Sequence, residues 1–175
     1  GIGFISFTSD VHFSNVLINN CAQYLVANFA GGNYRYEHCT FANYSYDFFR
    51  ETPATVFTDN FPISNTEILV DDLSLKMVNS IVWGSLGEEM MLNNDGGRQF
   101  DLNFENNIIR TASENLIGNN INEDPKFIDS RNYDYRLDTL SPAKDAGQLL
   151  GVTTDLEGTI RDTKPDIGAF ERLEE

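Results

Sequence analysis

Lys76-Met77-Val78-Asn79-Ser80-Ile81-Val82 is the stretch that decides the fold. A large apolar residue is followed by one variable residue, an Asn, a small polar residue and, two places on, another apolar residue. The run is too short for a helix and sits among turn formers, which marks it as a strand, a bend and a second strand. The same order recurs at Leu17-Ile18-Asn19-Asn20-Cys21-Ala22, at Arg35-Tyr36-Glu37-His38-Cys39-Thr40-Phe41 and at Asn103-Phe104-Glu105-Asn106-Asn107-Ile108-Ile109. Aligned on the small residue, Cys21, Cys39, Ser80 and Asn107 stand 18, 41 and 27 residues apart. A motif repeated at such intervals marks a solenoid, whose units bury their apolar faces only against their neighbours.

The expected fold is all-β: a right-handed parallel β-helix, with successive coils stacked about 4.8 Å apart. Ile18, Tyr36, Met77 and Phe104 are expected to point inward as one column. Asn20, His38, Asn79 and Asn106 are expected at a tight bend, as a structural ladder. An Asn tolerates left-handed backbone there, and its amide can bond to the next coil. Period-two alternation at Tyr34 and Tyr36, at Leu73, Leu75 and Met77, and at Phe100, Leu102 and Phe104 agrees with strands.

Toward the C-terminus the motifs become more specific. They are Asn79-Ser80-Ile81-Val82-Trp83-Gly84, Glu123-Asp124-Pro125-Lys126-Phe127-Ile128-Asp129, Tyr135-Arg136-Leu137, Ser141-Pro142-Ala143-Lys144-Asp145-Ala146-Gly147, Asp155-Leu156-Glu157-Gly158-Thr159-Ile160-Arg161 and Pro165-Asp166-Ile167-Gly168-Ala169-Phe170-Glu171. As an ordered set they resemble the C-terminal region of large secreted β-helix proteins of bacteria, within the pectate-lyase-like superfamily. The resemblance implies a ladder of asparagines at one bend and an extracellular or outer-surface location, often through a lipid anchor. It implies a fold and a compartment more than a reaction. Residues 1–140 are assigned to coils, with further coils expected upstream, and residues 141–175 to a loop-rich cap on the last coil. Ser141-Pro142 reads as an N-cap with Pro at the first helical position. Asp155, Arg161 and Asp166 are candidates for a charged network that pins the cap.

At 175 residues the chain is long enough for one domain with a substantial core, and its 41% hydrophobic content is that of a globular protein. Twelve Lys and Arg against 27 Asp and Glu give a net charge of −15. Such a surface repels nucleic-acid phosphates and anionic membranes. No run approaches the roughly 18 apolar residues of a membrane-spanning helix, and none resembles a signal peptide. The opening Gly1-Ile2-Gly3-Phe4 lacks an initiator Met and enters strand-like sequence at once, so the native N-terminus is expected upstream, where the resemblance implies an export signal. Two cysteines are too few for a disulfide scaffold or a zinc site. Cys21 and Cys39, at matching register, are expected as packed thiols, with a bridge as the alternative.

Chemistry-bearing residues are sparse. His38 adjoins Cys39, but neighbouring strand residues face opposite ways and His38 occupies the bend, so a structural role is expected. His12 has no partner pattern. Asn93-Asn94-Asp95-Gly96-Gly97 lacks the ligand spacing of a calcium loop and reads as a turn. No metal or cofactor is expected. Tyr44-Ser45-Tyr46-Asp47-Phe48-Phe49-Arg50-Glu51 follows the Cys39 rung within the longest gap between motifs and reads as a projecting loop. Tyr44, Tyr46, Asp47 and Arg50 are the candidate carbohydrate-binding residues, since aromatic faces flanked by polar groups suit sugars.

In pectate-lyase-like proteins clefts form beside the first strand of each coil. The corresponding stretches here, near Tyr24–Ala27, Ala54–Asp59 and Glu89–Asn93, offer neither a column of acids nor a Lys or Arg cluster. A lyase needs a cation and a base beside the uronate, and a hydrolase needs two carboxylates. The leading expectation is therefore a scaffold that binds extracellular polysaccharide or a surface protein, without a complete active site in this stretch. A lyase or hydrolase with catalytic residues upstream, and a purely structural adhesin stalk, are the alternatives.

Overall fold

The computed structural model describes residues 1–113, 116 and 118–172. It is all-β, with strands β1 (Phe4–Ser14), β2 (Leu17–Asn19), β3 (Val26–Glu37), β4 (Thr40–Asn43), β5 (Thr55–Thr58), β6 (Asn60–Pro62), β7 (Ile68–Val70) and β8 (Leu73–Val78). β9 (Ile81–Gly84), β10 (Met90–Asn93), β11 (Phe100–Glu105), β12 (Ile108–Ile109), β13 (Asn120–Ile121), β14 (Phe127–Asp129) and β15 (Asp134–Leu137) follow. The one helical element among the described residues is a single 3-10 turn, Ser130–Asn132. β6 with β7, and β14 with β15, form small antiparallel pairs. Every other strand pairing is parallel.

The parallel strands lie in three rows. The first halves of β1 and β3 stack with β5 and β10, and their second halves stack with β8 and β11. The third row holds β2, β4, β9, β12 and β13. Four times in succession the chain visits the rows in the same order. Left-handed residues bend the two long strands: Thr8 at φ 44° in β1, and Ala30, Gly31 and Gly32 at 61°, 80° and 122° in β3. Gly31 admits no side chain, because a Cβ there would lie 2.5 Å from the Asp71 carbonyl oxygen.

Inside the rows lies one apolar core that includes Tyr34, Tyr36, Phe41, Phe57, Leu75, Met77, Val82 and Ile109. Tyr36, Met77 and Phe104 form one inward column, and the residue that completes it is Phe13. Ile18 belongs to the third row, in register with Phe41, which faces Val82 and then Ile109. Aligning Cys21 with Cys39 slides the first rung by five residues: Leu17 stands beside Thr40, so Val16 is the neighbour of Cys39. Cys21 and Cys39 therefore do not stack, and both are free thiols.

The same slip moves the first bend. Asn15, His38, Asn79 and Asn106, at φ 54°, 51°, 51° and 53°, turn the chain from the second row to the third. Asn20, at φ 49°, is one corner further on, where it donates to the Tyr135 hydroxyl at 2.9 Å and accepts the Tyr44 N–H at 3.1 Å. Within the bend file only His38 and Asn79 touch side chain to side chain, Nε2 to Nδ2 at 3.0 Å. The rung-to-rung ladder runs one residue later. Ser80 Oγ accepts the Cys39 N–H at 3.1 Å, Asn107 Oδ1 accepts the Ser80 N–H at 2.8 Å, and Asn119 Oδ1 accepts the Asn107 N–H at 3.0 Å.

The bend file holds the C-terminal segment instead. Asn15 Nδ2 donates to the Thr154 carbonyl at 2.5 Å, and Asn106 Nδ2 to that of Ala146 at 3.1 Å. Asn79 Nδ2 donates to the Gln148 carbonyl at 2.7 Å, while its Oδ1 accepts the Gln148 N–H at 3.0 Å. Residues 141–175 were expected as a cap on the last coil; the described part, 141–172, runs along the side of the stack, from the Asn106 rung to the Asn15 rung. The physical reason lies in the third row, whose outward residues Ile81, Trp83 and Ile108 are apolar and are covered by Leu137, Ala143 and Ile167. Arg161 donates to Glu171 at 2.9 Å and to the Gly168 carbonyl at 2.9 Å. Asp166 accepts the N–H groups of Asp145 and Arg172, and Asp155 accepts that of Glu171, which tie the segment to itself.

Candidate functional site

The loop between β4 and β5 leaves the third row at Asn43, and its four candidate residues part company. Tyr44 and Tyr46 stack at 5.4 Å between ring centroids with 7° between planes. Tyr44 stacks at 6.4 Å on Tyr135 and meets Phe127 edge-on. The Arg131 guanidinium lies 4.6 Å from the Tyr46 ring centre, and the Tyr46 hydroxyl bonds Ser130 Oγ at 2.7 Å. Arg131, Tyr46, Tyr44 and Tyr135 thus make one pile that binds the loop to the β14–β15 hairpin. The Tyr44 and Tyr46 rings are engaged by other side chains, although Tyr46 stays 40% exposed. Asp47 is exposed at the turn.

Arg50 points away from the other three. Its side chain is fully buried, and its guanidinium forks onto Glu89, Nη1 to Oε2 at 2.8 Å and Nη2 to Oε1 at 2.6 Å. Nη2 also donates to the Asn43 carbonyl at 2.7 Å, and Glu89 accepts the N–H groups of Ala54 and Leu86, each at 2.8 Å. Gly84 makes room for the carboxylate, since a Cβ there would sit 2.2 Å from Glu89 Oε1. This bidentate pair closes the corner between the third and first rows and is not open to a ligand. The Arg and the Glu lie 39 residues apart in the sequence, and no spacing rule links them.

Beside the aromatic pile lies an open groove of about 490 Å³, lined by Tyr44, Trp83, Gly87, Arg110, Asn122 and Asp124. Trp83 comes from β9, and Arg110, just after β12, holds its guanidinium 5.2 Å over the Trp83 ring. The same guanidinium donates to the Gly84 carbonyl at 2.5 Å, and the Asn122 amide bonds the backbone of Thr111 in both directions. Burial, and then the nearby Asp124 charge, push the Tyr44 hydroxyl well above its ordinary range, so it remains a protonated donor. The groove offers apolar ring surface, one cation, one carboxylate and one hydroxyl. Among the described residues Asp124 is the carboxylate that lines the groove.

A second grouping was hidden from the sequence. His12, Arg35 and Lys76 are in register on adjacent strands of the second row and, with Asp10, Asn33 and Ser74, border a shallow groove of about 370 Å³. Glu37 accepts from His12 Nε2 at 2.9 Å and from Arg35 Nε at 2.8 Å. Burial raises the Glu37 carboxyl, but hydrogen bonds from Arg35 and His12 outweigh it and hold the group below its usual range. The motif alignment carries the clue to this row, for Arg35 and Lys76 both stand immediately before the inward apolar residue. His12 was missed because the first rung was read five residues late.

No set of three or more His, Cys, Asp or Glu side chains among the described residues is arranged to hold a metal ion. No helix among them is long and apolar enough to cross a membrane. No protein-family model, curated protein or solved structure matches the chain.

Proposed function

We propose that this chain is a section of a right-handed parallel β-helix that acts outside the cell as a glycan-binding scaffold. The fourfold repetition of the three-row path supports the β-helix, because in-register parallel strands returning to the same rows are what one continuous winding produces. The resemblance of the C-terminal motifs supports an exported setting, and the strongly acidic composition suits an extracellular surface that avoids nucleic acid and anionic lipid.

The observation that carries the binding reading is the groove bordered by Trp83, Arg110, Tyr44 and Asp124. Apolar ring edges beside a few fixed polar groups are what a polyol with one hydrophobic face needs. The Tyr44–Tyr46 pile serves this groove as its wall rather than as the sugar platform. A glycan array followed by titration calorimetry tests the proposal. Binding should fall at least tenfold in the Arg110→Ala and Asp124→Asn variants and change little in Asp47→Ala. Binding that survives both groove substitutions would place the site elsewhere.

The engagement of Tyr46 by Tyr44, Arg131 and Ser130 favours the purely structural stalk as the second reading. An array on which no glycan is retained would decide for the stalk.

A further inference from the structure

We propose that the outer face of the second row, where β3 and β8 run side by side, is a binding site for a hydroxylated ligand that carries one carboxylate or sulfate. The inference does not rest on the glycan reading of the Trp83 groove. Arg35 of β3 and Lys76 of β8 stand directly in register on that face. β3 is flanked by β1 and β8, and β8 by β3 and β11, so both cations sit on inner strands of the sheet. Like charges directly opposite one another destabilise a strand pair, and two cations so placed call for an anion between them.

The sheet itself answers only half of that need. Glu37 is 3% exposed, and its Oε1 accepts from Arg35 Nε at 2.8 Å and Nη2 at 2.5 Å while its Oε2 takes His12 Nε2 at 2.9 Å. A buried carboxylate thus fixes the Arg35 and His12 side chains from beneath, the support a binding residue requires. Arg35 stays 54% exposed, and its Nη1 has no partner among the described residues. Lys76 Nζ makes no hydrogen bond or ion pair among them either, and feels the Glu105 carboxylate through charge attraction alone. An oxyanion between Arg35 Nη1 and Lys76 Nζ would give both a charge-assisted partner.

The rest of the groove, about 370 Å³ in all, decides what carries the anion. Asp10, Asn33 and Ser74 form the next outward file, two residues back along the strands and therefore about 7 Å from the cations. Asn33 Nδ2 donates to Asp10 Oδ1 at 2.6 Å. That leaves Asp10 Oδ2, Asn33 Oδ1 and the Ser74 hydroxyl as acceptors for the hydroxyl groups of a ligand. Asp10 also repels a second negative charge at that end. The groove is thus polarised, and it fits a polyol with a single anionic end better than a chain charged on every unit.

Amide shifts of the whole chain, followed by NMR during titration with gluconate, with glucose 6-sulfate and with glucose as the neutral control, test the proposal. Gluconate or the sulfate should give saturable shifts centred on Asn33, Arg35, Ser74 and Lys76, and a response to one of the two alone supports the site and names its oxyanion. Lys76→Gln should melt as the parent does and bind about tenfold more weakly, the loss of one hydrogen bond to a charged group. Arg35→Lys, which keeps the charge but loses the fork onto Glu37, should weaken binding as well. Arg110→Ala should bind as the parent does; a loss confined to that variant would assign the anion to the Trp83 groove and overturn the proposal. An equal response to glucose, affinity unchanged in both Lys76→Gln and Arg35→Lys, or shifts that never saturate would overturn it too.

Discussion

Asn107→Ala is the substitution that most directly tests how the rungs are held together. Asn107 is fully buried. Its Oδ1 accepts the Ser80 N–H at 2.8 Å, and its Nδ2 donates to the Met77 carbonyl at 2.9 Å and to Asn119 Oδ1 at 2.7 Å. Alanine removes all three bonds. The Asn119 amide is only half-buried, and the Met77 carbonyl keeps its place in the β8–β11 ladder, but the Ser80 N–H lies inside the stack. A buried backbone group left without a partner costs about 1–3 kcal/mol, which sets the loss near 2 kcal/mol. With an m value of about 2 kcal/mol/M, the urea midpoint should fall by roughly 1 M with little change in slope. Asn79→Ala should cost about 1–2 kcal/mol, because its amide bonds the backbone of Gln148 at the edge of the C-terminal segment and the His38 side chain one rung away. Asn94→Ala, at an exposed turn, should be nearly silent. Equal effects of Asn107→Ala and Asn94→Ala would refute the ladder as a source of stability.

Further outcomes follow from other parts of the molecule. Arg50→Met should lower stability by about 3–5 kcal/mol in denaturant melts, because it strands the Glu89 carboxylate in a fully buried site. Burial, and then the nearby Arg161 charge, depress His38 from 6.5 to about 4, so stability held with neutral His38 should decline as pH falls from 6.5 toward 4, by up to about 3 kcal/mol. Burial raises Asp166 from 3.8 to about 6; its contribution is complete below 3.8 and lost as pH rises through 6, so His38→Asn should reveal a protein that gains stability between pH 7 and 4 in melts followed across that range. Gly31→Ala should destabilise by more than 1 kcal/mol, read as a fall in urea midpoint, because it forces a Cβ against Asp71 at a left-handed position. Iodoacetamide should modify Cys21 in the native protein and Cys39 only after unfolding, as intact mass will report, since Cys39 is fully buried with its thiol pushed up to about 12.

The fold was legible where backbone and side-chain requirements coincide. His38, Asn79 and Asn106 announce the bend because few residue types accept φ near 50°, and the apolar residues two places before them announce the core. The first rung misled because Leu17-Ile18-Asn19-Asn20 imitates the motif across a different corner, while the bend residue Asn15 is followed by Val16, not by the small residue that marks the other rungs. Asn marks a left-handed corner but does not say which corner. The site was less legible for a related reason. Tyr44 and Tyr46 carry the composition of a sugar platform, yet whether a ring face is free depends on Arg131 and Tyr135, some 90 residues away in sequence. Arg50 looked like a surface cation, and only the distant Glu89 and the missing Cβ of Gly84 explain its burial.

These observations separate what the rungs do from what the excursions do. The three rows need only apolar residues inside, one left-handed residue at the bend and a partner for each backbone group. They therefore leave the outer face of the second row free to vary, and there the chain gathers His12, Arg35 and Lys76 on neighbouring strands. The third row has lost that freedom, because its outward Ile81 and Ile108 are buried under the C-terminal segment at 0% exposure. The corner of the third row beside the aromatic loop is lined by the nearly buried Trp83 and the half-buried Arg110. A segment docked along the side of the stack thus concentrates whatever that row can bind into one groove beside Tyr44. If the groove binds glycan, removing the segment's hold by Asn79→Ala should weaken binding even though Asn79 does not line it, and binding unchanged in that variant would mean the groove stands without the segment.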